Sequence, residues 1–326
     1  MPFIEIEKIT GITSFTTYES GEMKECKLNK YNLITTDYGD FIPQYKDPGV
    51  RKKDIKSLSF YRSGALKSIS LEEQTNVRTS IGIFPAELVT FFEDGSLHSV
   101  FPLNGQIGFS WSEKEEEELL QLLNFEFPFG CFQAKIIGLR FYRSAKIRSV
   151  ILWPSEKITL TTPVGIIPVR IGFQLYEDGT IESVEPDVPV SIQTPIGHVH
   201  AFDITALAVD ADDNSLKFDS SGRIIELVTS DRIVVSSKSN GSSNNDVNNN
   251  NLTSKRVLEP SYRMGLLEDN FVKMPFKICF HGEYASIDNG VKEEEFIMSK
   301  WDFTTNNYDS IQKSCNGYCT DCTECM

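Results

Sequence analysis

The chain has 326 residues, 40% of them hydrophobic and 11% aromatic, with 32 basic against 46 acidic side chains and a net charge of −14. That apolar content fills one large domain or two ordinary ones and excludes a chain disordered throughout. The carboxylate excess weighs against dedicated nucleic-acid binding and against docking on an anionic membrane, both of which rest on Lys/Arg neutralisation.

The N-terminal Met1-Pro2-Phe3-Ile4-Glu5 carries no basic region followed by an apolar one, so no secretory signal is expected. No uncharged apolar window of about 18 residues is present, so no membrane span is expected either. The expected location is the cytoplasm, where thiols stay reduced.

From residue 18 onward a short pattern recurs. Tyr18-Glu19-Ser20-Gly21 is followed by Phe60-Tyr61-Arg62-Ser63-Gly64-Ala65-Leu66-Lys67-Ser68 and by Phe91-Phe92-Glu93-Asp94-Gly95-Ser96-Leu97. Phe141-Tyr142-Arg143-Ser144-Ala145-Lys146-Ile147, Leu175-Tyr176-Glu177-Asp178-Gly179-Thr180-Ile181 and Phe218-Asp219-Ser220-Ser221-Gly222-Arg223-Ile224 continue it. Aromatic and aliphatic residues alternating with polar ones on both sides of Ser-Gly or Asp-Gly predict β-hairpins, the glycine supplying a positive φ at the turn. Ala145 breaks this rule, so that turn is expected to be of another type or strained. The acidic pairs Glu93-Asp94 and Glu177-Asp178 are read as turn residues, not as an acid/base couple.

A second turn alternates with the first: Thr36-Asp37-Tyr38-Gly39, Thr79-Ser80-Ile81-Gly82, Thr162-Pro163-Val164-Gly165 and Thr194-Pro195-Ile196-Gly197. Residues 55–97 and 137–181 match in order, with 81 residues from Gly64 to Ala145 and 84 from Gly95 to Gly179. A duplicated unit of about 80 residues follows. The hairpin consensus resembles MORN-repeat variants. That resemblance implies stacked hairpins, and roles as varied as lipid binding, scaffolding and toxin neutralisation.

Between the duplicated units, Ser112 heads a predicted helix to Asn124, with Glu115 at the capping-box position and Leu119, Leu120, Leu122 and Leu123 as its apolar side. It is either a linker helix packed across the junction or an acidic docking helix. Residues 236–255, with seven Asn in twenty, read as a disordered linker. The stretch 256–310, with a turn at Asp288-Asn289-Gly290, reads as a β-rich cap, as an open sheet needs at its edge.

The sharpest chemical feature is the tail, 311–326, where Cys315, Cys319, Cys322 and Cys325 are spaced C-x3-C-x2-C-x2-C. Clustered thiolates at that spacing suit zinc or an iron–sulfur cluster. Cys26, Cys131 and Cys279 lie among apolar residues and are expected to be buried thiols. His198 and His200 flank Val199, so on a strand both rings face one side, within reach of one metal. His98 and His281 are isolated.

No nucleophile elbow, phosphate loop, zinc-protease or dinucleotide fingerprint appears. The expected protein is mainly β: repeated β-hairpins over 1–234 forming an extended twisted sheet or open solenoid, one inserted acidic helix and a short Cys-rich C-terminal tail. The expected role is non-catalytic recognition or scaffolding through a protein partner. The alternative is an accessory redox or metal-delivery protein acting through the tail cysteines, and a third reading is an enzyme acting on a glycan in a groove of the sheet.

Overall fold

The structure is a computed structural model and describes residues 6–47, 49–52, 56–206, 211, 213–238, 255–264 and 271–306. Of these, 56% lie in strands and 3% in helices, and no helix reaches seven residues, so the protein is mainly β and antiparallel. Among the described residues no helix is long and apolar enough to cross a membrane. The chain divides into two compact units. One takes Met1–Leu160, Arg170–Ile181 and Ala208–Asp212; the other takes Thr161–Val169, Glu182–Leu207 and Asp213–Met326.

In the first unit the strands Ile12–Thr17, Met23–Leu28, Leu58–Phe60, Leu66–Thr79, Gly82–Phe91, Leu97–Phe101, Ile136–Phe141 and Ile147–Leu152 pair in that order. Each is antiparallel to the next. Ile147–Leu152 pairs onward with Gly172–Gln174. Sequential neighbours pair because short turns leave the chain nowhere else to go. Alternate residues face the core, and Leu58, Phe60, Ile69, Val89, Val100, Leu139, Phe141 and Val150 are almost wholly buried. In the second unit Leu216–Phe218, Ile224–Thr229, Phe276–His281, Tyr284–Asp288 and Glu293–Ile297 form a similar antiparallel series.

The Ser/Asp-Gly turns share one geometry. In each, the residue opening the turn donates its amide to the carbonyl four residues on, and the turn's last residue donates back (Tyr61 N to Ala65 O, 2.8 Å; Gly64 N to Tyr61 O, 2.9 Å). The same pair of bonds closes the turns at Gly21, Gly95, Gly179 and Gly222. This is a three-residue hairpin loop whose last residue sits left-handed, at φ between +81° and +100° for these five glycines. The acidic residue adds an Asx bond: Asp94, Asp178 and Asp219 each accept the amide and hydroxyl of the residue two positions on. Those hydroxyls hold the three carboxyls below the usual aspartate range.

Ala145 closes the same turn, with its amide to Tyr142 O at 2.9 Å and φ at +65°. The turn is therefore strained rather than of another type. Ala145→Gly is expected to raise unfolding stability by about 1 kcal/mol, read as a higher urea midpoint at unchanged slope; an unchanged midpoint would contradict the strain.

Neighbouring tips are bolted together by the tyrosines that precede the turns. Tyr18 Oη donates to Phe60 O (2.9 Å), Tyr61 Oη to Phe91 O (2.9 Å) and Tyr142 Oη to Leu175 O (2.8 Å). Phe92 lacks the hydroxyl. There the Arg143 guanidinium lies 4.9 Å from the Phe92 ring centre and reaches Asp94 at 3.2 Å.

The Thr-x-x-Gly turns are equally uniform. Thr36, Thr79, Thr162 and Thr194 each donate the hydroxyl to the carbonyl of the glycine three residues on, at 2.7–2.9 Å. Each hydroxyl also accepts the amide two residues on. The threonine thus satisfies both sides of a loop that the strand ladder leaves open.

The expected helix over 112–124 is corrected. It spans only Glu113–Glu118, with Ser112 and Glu115 forming the capping box as expected. Leu119 and Leu122 are exposed, and Leu123 opens the strand Leu123–Phe127.

Candidate functional site

His198 and His200 lie on the strand Gly197–Ala201, flanking fully buried Val199. His198 is exposed, and its carbonyl accepts the Thr305 hydroxyl. His200 Nδ1 and its backbone amide both meet Asp231 Oδ2 at 2.9 Å, and Asp231 is buried. This pairing gives His200 an acidic partner that sequence spacing does not show. Asp203, near in sequence, instead accepts Thr205 in a local turn. Among the described residues no three His, Cys, Asp or Glu side chains converge to hold a metal. The tail cysteines Cys315, Cys319, Cys322 and Cys325 lie outside the described residues.

Of the three other cysteines, Cys26 is buried, and burial pushes its thiol up to about 11. Cys279 is half-buried, and burial, together with the Glu226 carboxylate 3.6 Å away, raises it to about 11. Neither is a ready nucleophile. Cys131 corrects the expectation: it is exposed, because its neighbours Gly130 and Phe132 sit on a hairpin whose other face carries the aromatic packing.

The densest polar constellation is one the sequence reading did not assemble. Arg51 binds two carboxylates at once. Its Nε and Nη2 donate to Glu116 at 2.7 and 2.9 Å, and its Nη1 and Nη2 donate to Glu87, both at 2.8 Å. Glu87 and Glu116 are buried, 6% and 3% exposed. Their remaining lone pairs accept Asn104 N, Gly105 N and Trp111 Nε1 at 2.6–2.9 Å. Burial alone would lower the Arg51 basicity; the two carboxylates overcome it and hold the guanidinium above its already high value. Gly105 is required, because a β-carbon there would stand 2.2 Å from the Glu116 carboxylate. The acidic helix thus turns one of its glutamates inward, as a structural ligand of Arg51.

Two features border this clamp. On one side runs the loop Gly105–Trp111, tied at its base by Gln106 N to Arg51 O (2.7 Å) and Gly108 N to Trp111 O (2.8 Å). It carries Ile107, 51% exposed, and Phe109, fully exposed. Arg51 and Glu87 also line a cavity of about 340 Å³, together with Gln44, Lys46, Asp47, Lys52, Glu72, Glu73 and Gln74. One signal for the clamp stands in the sequence: Glu87 is a lone charge in the strand run Phe84-Pro85-Ala86-Glu87-Leu88-Val89. A carboxylate inside such a run needs a buried partner.

No protein-family model, curated protein or solved structure matches the chain.

Proposed function

We propose that the chain is a non-catalytic recognition or scaffold protein, built of hairpin repeats, that engages a protein partner. The observation that carries this reading is the loop of Ile107 and Phe109: two large apolar side chains stand in solvent on a loop whose ends are fixed by Arg51, Glu116 and Trp111. Large apolar groups exposed on a fixed base are the ordinary chemistry of an interface anchor, since little backbone freedom is lost on binding. The test is affinity capture with the wild type and with Ile107→Asp/Phe109→Asp, both checked for folding by circular dichroism. One partner held by the wild type and lost from the folded variant supports the reading; equal capture by both, or no partner for either, overturns it.

A second reading rests on the C-x3-C-x2-C-x2-C spacing of the tail: the cysteines bind zinc or an iron–sulfur cluster, for metal delivery or redox exchange. Elemental analysis of anaerobically purified protein is expected to give about one equivalent of zinc, or iron with absorbance at about 400 nm, lost in Cys315→Ser/Cys319→Ser. Metal-free, colourless protein would refute it.

A further inference from the structure

We propose that the chain forms a two-fold dimer in which the edge strand Ile12–Thr17 pairs antiparallel with the same strand of a second copy, Phe15 opposite Phe15. Among the described residues this strand pairs on one side only, with Met23–Leu28. Its six residues carry no charge and no proline, and all but Ile12 are exposed. Such an edge offers unpaired backbone groups to another chain, and folded proteins ordinarily blunt it with charge.

The register fixes which backbone groups face out. Phe15 stands directly opposite Cys26, and the Cys26 carbonyl accepts Ser57 N (2.9 Å) from the far side of its strand. In an antiparallel ladder the backbone groups of two opposed residues point either at each other or away from each other. Those of Cys26 and Phe15 point away, so the Phe15 N–H and C=O face the open edge. The Phe15 side chain is left open as well. Cys26, Leu58, Ile69, Val89, Val100 and Leu139 form a row of directly paired residues, each at most 1% exposed. Phe15 extends that row by one place on the same face and is 61% exposed. The row Leu227, Ile278, Ile287 of the second unit ends differently, on Glu294, which is ion-paired to Arg256 and Lys292. One terminal strand is closed by charge; the other ends on a bare phenylalanine.

A second copy is the occupant that matches by charge. Antiparallel pairing about Phe15 sets Ser14 opposite Thr16 of the second copy. The cross-strand row then runs from Lys27 through Ser14 to Thr16 and Glu25 of the second copy, and its two-fold mate runs the other way. Each row joins a lysine of one copy to a glutamate of the other, on the face opposite Phe15. Glu25 already leans toward this edge, since it accepts the Thr16 hydroxyl at 2.9 Å. The neutrality of the strand matters too: two chains of net charge −14 repel, and contact costs least where no like charges meet.

Analytical ultracentrifugation of the full chain is expected to show a dimer, weakened at least about tenfold in Phe15→Lys, which sets two like charges opposite each other. Circular dichroism of that variant should match the parent, since Phe15 is exposed. Only the residue on the two-fold axis meets its own copy, at about 5.5 Å between α-carbons and within disulfide reach; Thr17 would stand about 14 Å from its copy. In a chain with Cys131, Cys315, Cys319, Cys322 and Cys325 replaced by Ser, Phe15→Cys should therefore oxidise to a covalent dimer and Thr17→Cys should not. A monomer at about 0.1 mM chain, a dimer as tight in folded Phe15→Lys as in the parent, or cross-linking of Thr17→Cys as fast as that of Phe15→Cys overturns the proposal. Should Phe15→Lys fail to fold, the two cysteine variants decide it.

Discussion

Arg51→Met is expected to lower the free energy of unfolding by about 3–5 kcal/mol, the range for removing one partner of a buried charge network. The magnitude follows from what is left behind. Glu116 would remain buried with only Gly105 N and Trp111 Nε1, and Glu87 with Asn104 N and the Lys52 ammonium 3.7 Å away, with no guanidinium shared between them. Both carboxylates would then be desolvated without the guanidinium that compensates them. Arg51→Lys should rescue only in part, since one ammonium cannot meet two carboxylates bidentately. Arg51→Met/Glu87→Leu/Glu116→Leu, which removes the whole triad, should recover only part of the loss, because Asn104 N, Gly105 N and Trp111 Nε1 lose their acceptors. Urea titrations decide it: a loss below about 1 kcal/mol in Arg51→Met would show that the clamp does not hold this part of the fold. Because Glu116 also ties Gly105 and Trp111, the same variant should loosen the Ile107–Phe109 loop, read as faster hydrogen exchange there.

The hairpin turns were readable from sequence because their chemistry is local. Ser-Gly and Asp-Gly place the left-handed residue, and the flanking alternation places the strands. What Thr36, Thr79, Thr162 and Thr194 do was not readable in the same way: the residue type marks the turn, but the hydroxyl's double bond appears only with the loop closed. The overlong helix is a conflict of periods. Leu119, Leu120, Leu122 and Leu123 suit a helical stripe, yet Leu123 already belongs to the alternation through Phe125 and Phe127, and that tertiary pairing prevails. The shift from an 83-residue interval at Gly82/Gly165 to 84 at Gly95/Gly179 marks one inserted residue. The structure places an irregularity in that stretch: Ile171 at φ +62° beside Gly172, whose α-carbon packs so close to Val150 O that a β-carbon would stand 2.1 Å away. Least accessible was the clamp, whose members are 36 and 65 residues apart from Arg51. Nothing local joins such residues; only the strand order brings them together. His200 and Asp231, 31 residues apart, escaped notice for the same reason.

Phe173→Ala should cost about 3–5 kcal/mol, and its effect should be concentrated on one hairpin. Phe173 is fully buried, on the strand Gly165–Leu175, and the edges or faces of three rings meet it nearly at right angles: Phe127 at 5.6 Å, Phe129 at 5.5 Å and Phe132 at 6.1 Å. Those rings belong to a stack in which Phe125 lies 5.6 Å from Phe84, 6.4 Å from Phe127 and 5.1 Å from Phe132. The hairpin that carries them, Leu123–Phe127 with Gly130–Ala134, pairs with no strand but itself among the described residues. A two-stranded hairpin alone is marginal in water, so aromatic packing, not a backbone ladder, must hold it in place. Truncating Phe173 removes the shared contact of three rings and leaves a cavity that stacked, flat side chains fill poorly. Hydrogen exchange should therefore accelerate across residues 123–134 while amides of the ladder strands Gly82–Phe91 and Leu97–Phe101 stay protected. Phe129→Ala, at a half-buried position, should cost about half as much or less. Uniform acceleration over the first unit would mean that Phe173 holds the sheet as a whole, and no acceleration in 123–134 would mean that the hairpin is anchored by something other than its phenylalanines.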